Sequence, residues 1–181
     1  MRAWVWAVSV AALCGQVTGA PVAVAEPQGG FGLAGGLALH TGRVAAVGGP
    51  GQSYSSGGAS LAGDAQFVIN ERWSLNPYLL LSLERSDAPL SATISNGAAG
   101  LELRRWRGGH YLGLRTGAYV ELIASSTNVS TAYGPGLGVS LGGEREDGFS
   151  WGLSLDLSRV TLVSVNHIGL RLNLGRRWSA P

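Results

Sequence analysis

The sequence predicts an all-β fold, an eight-stranded antiparallel up-and-down transmembrane β-barrel preceded by a cleaved signal peptide. From residue 67 to the C-terminus, short stretches alternate apolar with small or polar residues, turn signals separate them, and no helical pattern intervenes. In residues 168–174, leucine or isoleucine occupies every second position, which is the period of a β-strand. Leucines form one strand face and charged or small residues the other. A lipid solvent suits this apolar face, since a soluble barrel needs its apolar residues inside.

The N-terminus has the features of a secretory signal peptide. Met1 and Arg2 are followed by an uncharged apolar run over residues 3–13 and then by small residues. The run is shorter than the ~20 residues of a spanning helix, which disfavours a membrane anchor. We expect cleavage after Ala25, with Ala20 as the alternative, so that residues 1–25 form the signal peptide and residues 26–181 the barrel domain. The single cysteine, Cys14, is removed with the signal, which leaves no disulfide.

The charge pattern argues against nucleic-acid binding. All 13 basic residues are arginine and the net charge is only +2, although the isoelectric point is about 9.0. The arginines are scattered over turns and strand faces, with no basic stripe that a phosphate backbone could follow.

Eight segments have the strand alternation and are bounded by turn signals. The first three place leucines against glycine, alanine or polar residues; in the third, Leu79 and Leu81 point outward while Tyr78 and Ser82 point inward. The predicted strands cover residues 31–40, 59–70, 75–86, 91–104, 111–122, 132–141, 149–158 and 167–178.

The fourth segment is the least regular of the eight. In the fourth, Ala92 and Ile94 are out of phase with Leu101 and Leu103, which predicts a β-bulge near residues 96–97. In the fifth to eighth segments, leucine or valine occupies most positions of one face, and tyrosine, arginine, glycine, serine or aspartate occupies most positions of the other.

Links of two kinds alternate between the strands, and the aromatic residues fit one orientation. The short links, residues 71–74, 105–109 and 142–148, suit periplasmic turns, whereas residues 41–58, 87–90, 123–131 and 159–166 suit external links. An even strand number then puts both chain ends on the periplasmic side. Aromatic residues fall at the periplasmic strand ends, as in an interfacial girdle; a soluble sandwich with scattered core aromatics is the alternative. The predicted girdle residues are Phe31, Trp73, Trp106, Phe149, Trp151 and Trp178.

The whole mature chain resembles the small eight-stranded OmpA/OmpX-like outer-membrane barrels. Residues 73–78 resemble the segment that leads from a turn into the family's third strand, and residues 175–178 resemble its closing strand. The resemblance implies a bacterial outer-membrane location, outer-membrane lipids and lipopolysaccharide as partners, insertion by the barrel assembly machinery, and a monomer. Two features depart from the family: three residues follow Trp178, and Arg176 replaces an apolar residue, which affects recognition by the machinery but not the fold.

The inward strand faces carry charges of both signs. Paired carboxylates are also used by glycosidases, but the lumen of an eight-stranded barrel is just wide enough for side chains, so we expect these charges to neutralise one another there. The predicted polar network of the lumen comprises Asp64, Glu102, Arg104, Arg115, Asp156 and Arg171. In the last hairpin, we predict Asp156 directly opposite Arg171 and Leu155 opposite Leu172.

No catalytic, cofactor or metal site is predicted. His40 and His167 come together at the external rim near Ser164 once the barrel closes, but two ligands without a third are a weak metal site. The His-x-Ser arrangement of lipid A deacylases is absent. We therefore predict a structural or surface-interaction protein with a plugged lumen. The alternatives are a lipid A-modifying acyltransferase or deacylase, and a narrow pore.

The external ends of the predicted strands carry arginines near the outer leaflet. Arg43, Arg85 and Arg159 lie there, where the anionic sugars of lipopolysaccharide would attract them.

Overall fold

A computed structural model describes residues 27–44, 52–86, 91–125, 129–160 and 165–179, and its regular secondary structure there is β-strand. The predicted signal peptide, Cys14 and the centres of the four external links lie outside these residues. Within them, no helix is long and apolar enough to cross a membrane. The strands are β1 (Gly30–Val44), β2 (Gln52–Asn70), β3 (Trp73–Ser86), β4 (Ala92–Arg107), β5 (His110–Ala124), β6 (Val129–Glu144), β7 (Phe149–Val160) and β8 (Val165–Ser179).

The eight strands form a closed antiparallel barrel, which confirms the predicted fold class. Each strand pairs with its sequence neighbours, and β1 also pairs with β8, where Gly30 lies opposite Ser179. The two ends of the described barrel therefore meet at one rim. The β2–β3, β4–β5 and β6–β7 turns lie at this same rim.

The strands are longer than the sequence pattern predicts. They contain between 12 and 19 residues, whereas a tilted strand crosses the hydrocarbon with about 9–11. The largest difference is in β2, which begins at Gln52 and not at residue 59. Tyr54 and Ser56 are both buried and continue the inward-facing positions of β2, so the external link is shorter than predicted.

The alternation of faces is the reverse of a soluble barrel. Leucines point away from the lumen, and Leu79, Leu81, Leu114 and Leu155 are 53%, 49%, 61% and 41% exposed. Most of the inward side chains are polar or charged and buried. Because lipid and not water must cover the exposed leucines, the protein spans a membrane.

The predicted bulge in β4 is wrong. The β4 register with both β3 and β5 runs without a shift through residues 96–97, and Ile94 is fully buried on the inward face. The sequence predicts a bulge because apolar residues change from even to odd positions along β4. In the structure the even positions point inward throughout, and this inward face is apolar at Ala92 and Ile94 and charged near the opposite end of the strand. Between β2 and β3, in contrast, the register shifts at Val68 to Asn70.

The predicted β7–β8 register is wrong by two residues. Asp156 lies opposite Gly169, Ser154 lies opposite Arg171, and Leu155 lies opposite Leu170. A slip of two residues leaves each side chain on its predicted face, since the side-chain period of a strand is also two. Asp156 and Arg171 therefore both point inward, but on a diagonal.

Candidate functional site: a polar lumen between two rims

The lumen holds all six predicted network residues, and they lie in two clusters. Asp64, Glu102 and Arg104 belong to the cluster nearer the chain ends, which we name the lower cluster. Arg115, Asp156 and Arg171 form the middle cluster. Five of the six residues are buried, and the side chain of Asp64 is 14% exposed.

In the lower cluster, two arginines share the acidic groups. The Arg104 guanidinium lies 2.9 Å from Asp64 and 2.8 Å from Glu102. Arg177, which the sequence analysis missed, lies 2.6 Å from Asp64 and also pairs with Glu144. The signal was present in the sequence, because Arg177 lies six positions after the inward Arg171, and an even offset along a strand keeps a side chain on the same face.

In the middle cluster, one carboxylate faces two guanidinium groups. Asp156 forms an ion pair with Arg171 and lies 3.7 Å from Arg115. The Tyr119 hydroxyl donates to Asp156 over 2.9 Å, and Arg115 lies over the Tyr78 ring at 4.3 Å. The carboxylate comes from β7 and the two arginines from β5 and β8, so the cluster connects the neighbouring strands β7 and β8 and also joins β5 to β7 past the intervening β6.

The third cluster, which we name the histidine cluster, lies towards the external end. His40 Nδ1 lies 2.5 Å from Glu84, and His167 Nδ1 lies 2.8 Å from Glu121. The two imidazole rings are 4.8 Å apart, so the predicted meeting of the histidines occurs. It occurs inside the lumen and not at the rim, because β1 and β8 continue past both residues; Ser164 lies outside the described residues. Tyr54 donates to Glu121 over 2.7 Å.

The histidine cluster has the hydrogen bonds of a packed interior. All four ring nitrogens have a partner other than a serine: His40 contacts Glu84 and Arg171, and His167 contacts Glu121 and Tyr54. In the described part of the chain, no group of three or more His, Cys, Asp or Glu residues could hold a metal ion.

Little free space remains around these clusters. One cavity of the lumen measures about 70 Å³ beside the lower cluster, and another measures about 10 Å³ beside the histidine cluster. A water needs roughly 10–15 Å³ of such space, so the cavities suit a few waters and not a solute.

Comparison with known proteins identifies the fold. No family model and no curated protein matches the sequence. Several solved structures are similar to this chain at low sequence identity. Ail of Yersinia pestis, in complex with the heparin analogue sucrose octasulfate, has a TM-score of 0.58 at 14% identity over 84% of this chain and 100% of its own. Neisserial surface protein A has 0.55 at 13% over 84% and 100%, and OprG of Pseudomonas aeruginosa has 0.51 at 12% over 88% and 100%.

This chain has the fold of the small outer-membrane β-barrels. Together with the outward leucines, the fold places the protein in the bacterial outer membrane. The rim that carries the chain ends and the short turns is then the periplasmic rim, and the opposite rim faces the cell exterior.

The periplasmic rim of this outer-membrane barrel carries aromatic residues on its outer face, with one exception to the predicted girdle. Phe31, Phe149 and Trp178 point outward and are 61%, 40% and 48% exposed, and Trp73 and Trp151 are half-buried at outward positions.

Trp106 is not a girdle residue, because it points into the lumen. It is only 4% exposed, and its indole Nε1 donates to the Ser74 hydroxyl over 2.9 Å. Its ring packs against Tyr111 at 5.0 Å. Trp106 therefore fills the periplasmic end of the lumen and does not anchor the barrel at the lipid headgroups.

At the external rim of the outer-membrane barrel, two arginines face outward in one row of the sheet. Arg159 on β7 and Arg43 on β1 both lie opposite Asn166, the residue of β8 between them. Both arginines are exposed, and neither forms an ion pair with a described residue. We name Arg43 and Arg159 the external arginine pair. Arg85 on β3 is exposed on the same outer face.

Proposed function

We propose that this protein is a non-enzymatic outer-membrane barrel that acts at the cell surface by binding the anionic groups of lipopolysaccharide. The observation that carries the proposal is the external arginine pair. Its two Cα atoms lie two strand spacings apart, which is about 10 Å, and both side chains point toward the outer leaflet. The acidic side chains described nearby, Glu84 and Glu121, are buried in the lumen, so they leave this positive charge uncompensated at the surface.

The chemistry of arginine suits the phosphate and carboxylate groups of lipopolysaccharide. A guanidinium donates two parallel hydrogen bonds to such an anion, which an ammonium cannot do with the same geometry. Arg85 adds a third exposed guanidinium on β3, opposite Gly57 and Thr93. The Ail structure, which has the same fold, holds an anionic sugar, and this supports an anionic sugar as the ligand class here.

We further propose that the lumen is plugged and does not conduct solutes. The three buried clusters support this proposal, because their side chains occupy the lumen along its length and are held by ion pairs. The small volumes of the two lumen cavities support it as well. A narrow pore is the competing function, and a measurement of ion conductance distinguishes it from a plugged lumen.

A lipid A-modifying activity is the second competing function. It would need a nucleophile or base that lipid can reach, whereas His40 and His167 are 5% and 6% exposed and their ring nitrogens are occupied. We therefore expect lipid A from cells with and without the protein to have the same mass spectrum. A change in acyl chain number would overturn the non-enzymatic proposal.

The binding proposal is tested with purified barrel refolded in detergent that contains lipopolysaccharide. After removal of free lipopolysaccharide, the amount retained per barrel is measured for the wild type and for R43Q/R159Q. Loss of two charged contacts should reduce retention about tenfold. The matched control is R145Q/R176Q, which removes two exposed arginines from the periplasmic rim and should retain the wild-type amount. Equal retention by R43Q/R159Q and wild type would overturn the proposal.

A further inference from the structure

A groove on the periplasmic rim lies between the β2–β3 turn and the β4–β5 turn. It measures about 770 Å³ and is lined in part by exposed side chains of the outer face of the barrel. Charged and apolar side chains both line it: Glu71, Arg72, Arg105, Arg107, Leu112 and Leu141. We name it the periplasmic groove. It lies at the opposite rim from the external arginine pair, so it does not depend on the function proposed above.

The backbone brings one arginine of the β2–β3 turn and two arginines from the end of β4 to this groove. The Trp106 amide donates to the Arg72 carbonyl over 2.8 Å, which fixes the β2–β3 turn against the end of β4. The β4–β5 link consists only of Gly108 and Gly109, with φ values of 62° and 73°. Two consecutive positive φ values are those of a type I′ hairpin turn, which glycine adopts without strain. Arg107 is therefore held at the end of a tight hairpin.

The groove has an excess of positive charge that the described residues do not neutralise. Arg72, Arg105 and Arg107 are exposed, and none of them forms an ion pair within the described part of the chain. Arg105 lies over the Trp73 ring at 5.9 Å, which positions its guanidinium beside the groove. Glu71 contributes the single carboxylate of the lining, so three positive charges face one negative charge.

The other wall of the groove is apolar and belongs to the lipid-facing surface. Leu112 and Leu141 lie opposite each other on β5 and β6 and are 62% and 47% exposed. A soluble anion would contact the arginines but would leave these leucines without a partner. A ligand that fits both walls must carry an anionic head and a hydrocarbon chain.

We propose that the periplasmic groove binds the headgroup of an anionic phospholipid of the periplasmic leaflet. The phosphodiester accepts hydrogen bonds from the guanidinium groups of Arg72, Arg105 and Arg107, and an acyl chain runs along Leu112 and Leu141. The excess positive charge selects a phospholipid with net negative charge over a zwitterionic one. This site would hold the barrel at a defined depth in the inner leaflet and enrich anionic lipid around it.

The test uses the purified, folded barrel in detergent micelles that contain equal amounts of phosphatidylglycerol and phosphatidylcholine. Native mass spectrometry counts each lipid retained per barrel. The wild type should retain phosphatidylglycerol in preference to phosphatidylcholine, and R72Q/R107Q should retain about tenfold less phosphatidylglycerol. If the double variant does not fold, as judged by heat-modifiable mobility on gels, R107Q alone is used with a smaller expected loss in the same direction.

The matched control is R145Q/R176Q, which removes the same charge from the same rim but from residues outside the groove. It should retain phosphatidylglycerol as the wild type does. Three results would overturn the proposal: equal retention of both lipids by the wild type, equal losses in R72Q/R107Q and the control, or complete displacement of phosphatidylglycerol by excess inorganic phosphate. The last result would indicate an anion site without a role for the leucines.

Discussion

Asp156 on β7 forms an ion pair with Arg171 on β8 diagonally, because the residue directly opposite Asp156 is Gly169. The position left free by this glycine is occupied by His40 of β1: a Cβ at residue 169 would lie 2.3 Å from the imidazole ring. Arg171 in turn contacts His40 Nε2 over 3.0 Å. Because Gly169 has no side chain, His40 can lie beside it, and Arg171 of β8 then contacts both Asp156 of β7 and His40 of β1.

The two partners of this ion pair should differ in their importance for stability. Asp156→Asn leaves Arg171 and Arg115 without the carboxylate they share, and removing one partner of a buried pair costs about 3–5 kcal/mol. Arg171→Gln should cost less, because Asp156 keeps the Tyr119 hydroxyl and Arg115. Urea unfolding in lipid vesicles, followed by tryptophan fluorescence, measures both values. An Arg171→Gln loss equal to or larger than that of Asp156→Asn would contradict this ranking.

The outward leucines should not tolerate a charge near the middle of the membrane. Leu155 lies at the centre of β7 and is exposed on the outer face, so Leu155→Arg should reduce the free energy of unfolding by about 2–4 kcal/mol. Leu155→Met, which keeps the volume and the polarity, is the control and should cost less than about 1.5 kcal/mol. The same vesicle assay measures both variants. A Leu155→Arg variant as stable as Leu155→Met would show that this face does not contact hydrocarbon.

The different environments of the tryptophans can be measured by quenching with brominated lipid. A variant that keeps only Trp178 should be quenched strongly, because this ring is 48% exposed on the outer face. A variant that keeps only Trp106 should be quenched weakly and should emit at shorter wavelength, since its ring lies inside the barrel. Replacing Ser74 by alanine in the second variant should alter the emission by removing the indole's hydrogen-bond partner. Equal quenching of Trp106 and Trp178 would show that Trp106 contacts lipid, as the predicted girdle requires.

The plugged lumen predicts the absence of a steady ion current. In planar bilayers, the wild-type barrel should add no conductance to that of the lipid alone, because ion-paired side chains occupy its lumen. Replacing Arg104 and Arg171 by serine should open a measurable current, since these two arginines belong to the lower and middle clusters. A steady current through the wild type would support the narrow pore instead.

The sequence predicted the number of strands and the face of most side chains, because both depend on local alternation. It did not predict the register of the last hairpin. A shift of two residues moves Asp156 from Arg171 to Gly169 without turning any side chain to the other face, so the polarity of the residues cannot distinguish the two pairings. Only the length of the connecting link distinguishes them.

The positions of Trp106 and Tyr54 depart from the sequence prediction for different reasons. A place at a strand end predicts a girdle position for Trp106, but Trp106 lies at an even offset from the inward Glu102 and Arg104 and therefore shares their face. The sequence does not predict a strand at Tyr54, because the external half of β2 consists mainly of serine and glycine and has no apolar face that would indicate a strand.

The alternation of apolar and polar residues also does not predict how much space a side chain has inside the lumen. The inward position of Gly136 suggests that a small polar residue would be accepted there. A Cβ at this position would instead lie 2.3 Å from the Tyr119 ring. Whether the interior has room for a side chain depends on residues from other strands, and their positions follow from the closed barrel.

The pairing of Gly30 with Ser179 has a consequence for the order of the chain itself. Since the first and last strands start and finish side by side, a short peptide could join them, and the chain could be opened elsewhere. The glycine pair at residues 108 and 109 is a suitable place for new termini, because it is a surface turn at the same rim. Such a circular permutant would keep every strand pairing. β5 would become its first strand and β4 its last, so the β4–β5 pair would be the one that closes the barrel. Which strand closes the barrel would then depend on where the chain begins and not on the arrangement of the strands.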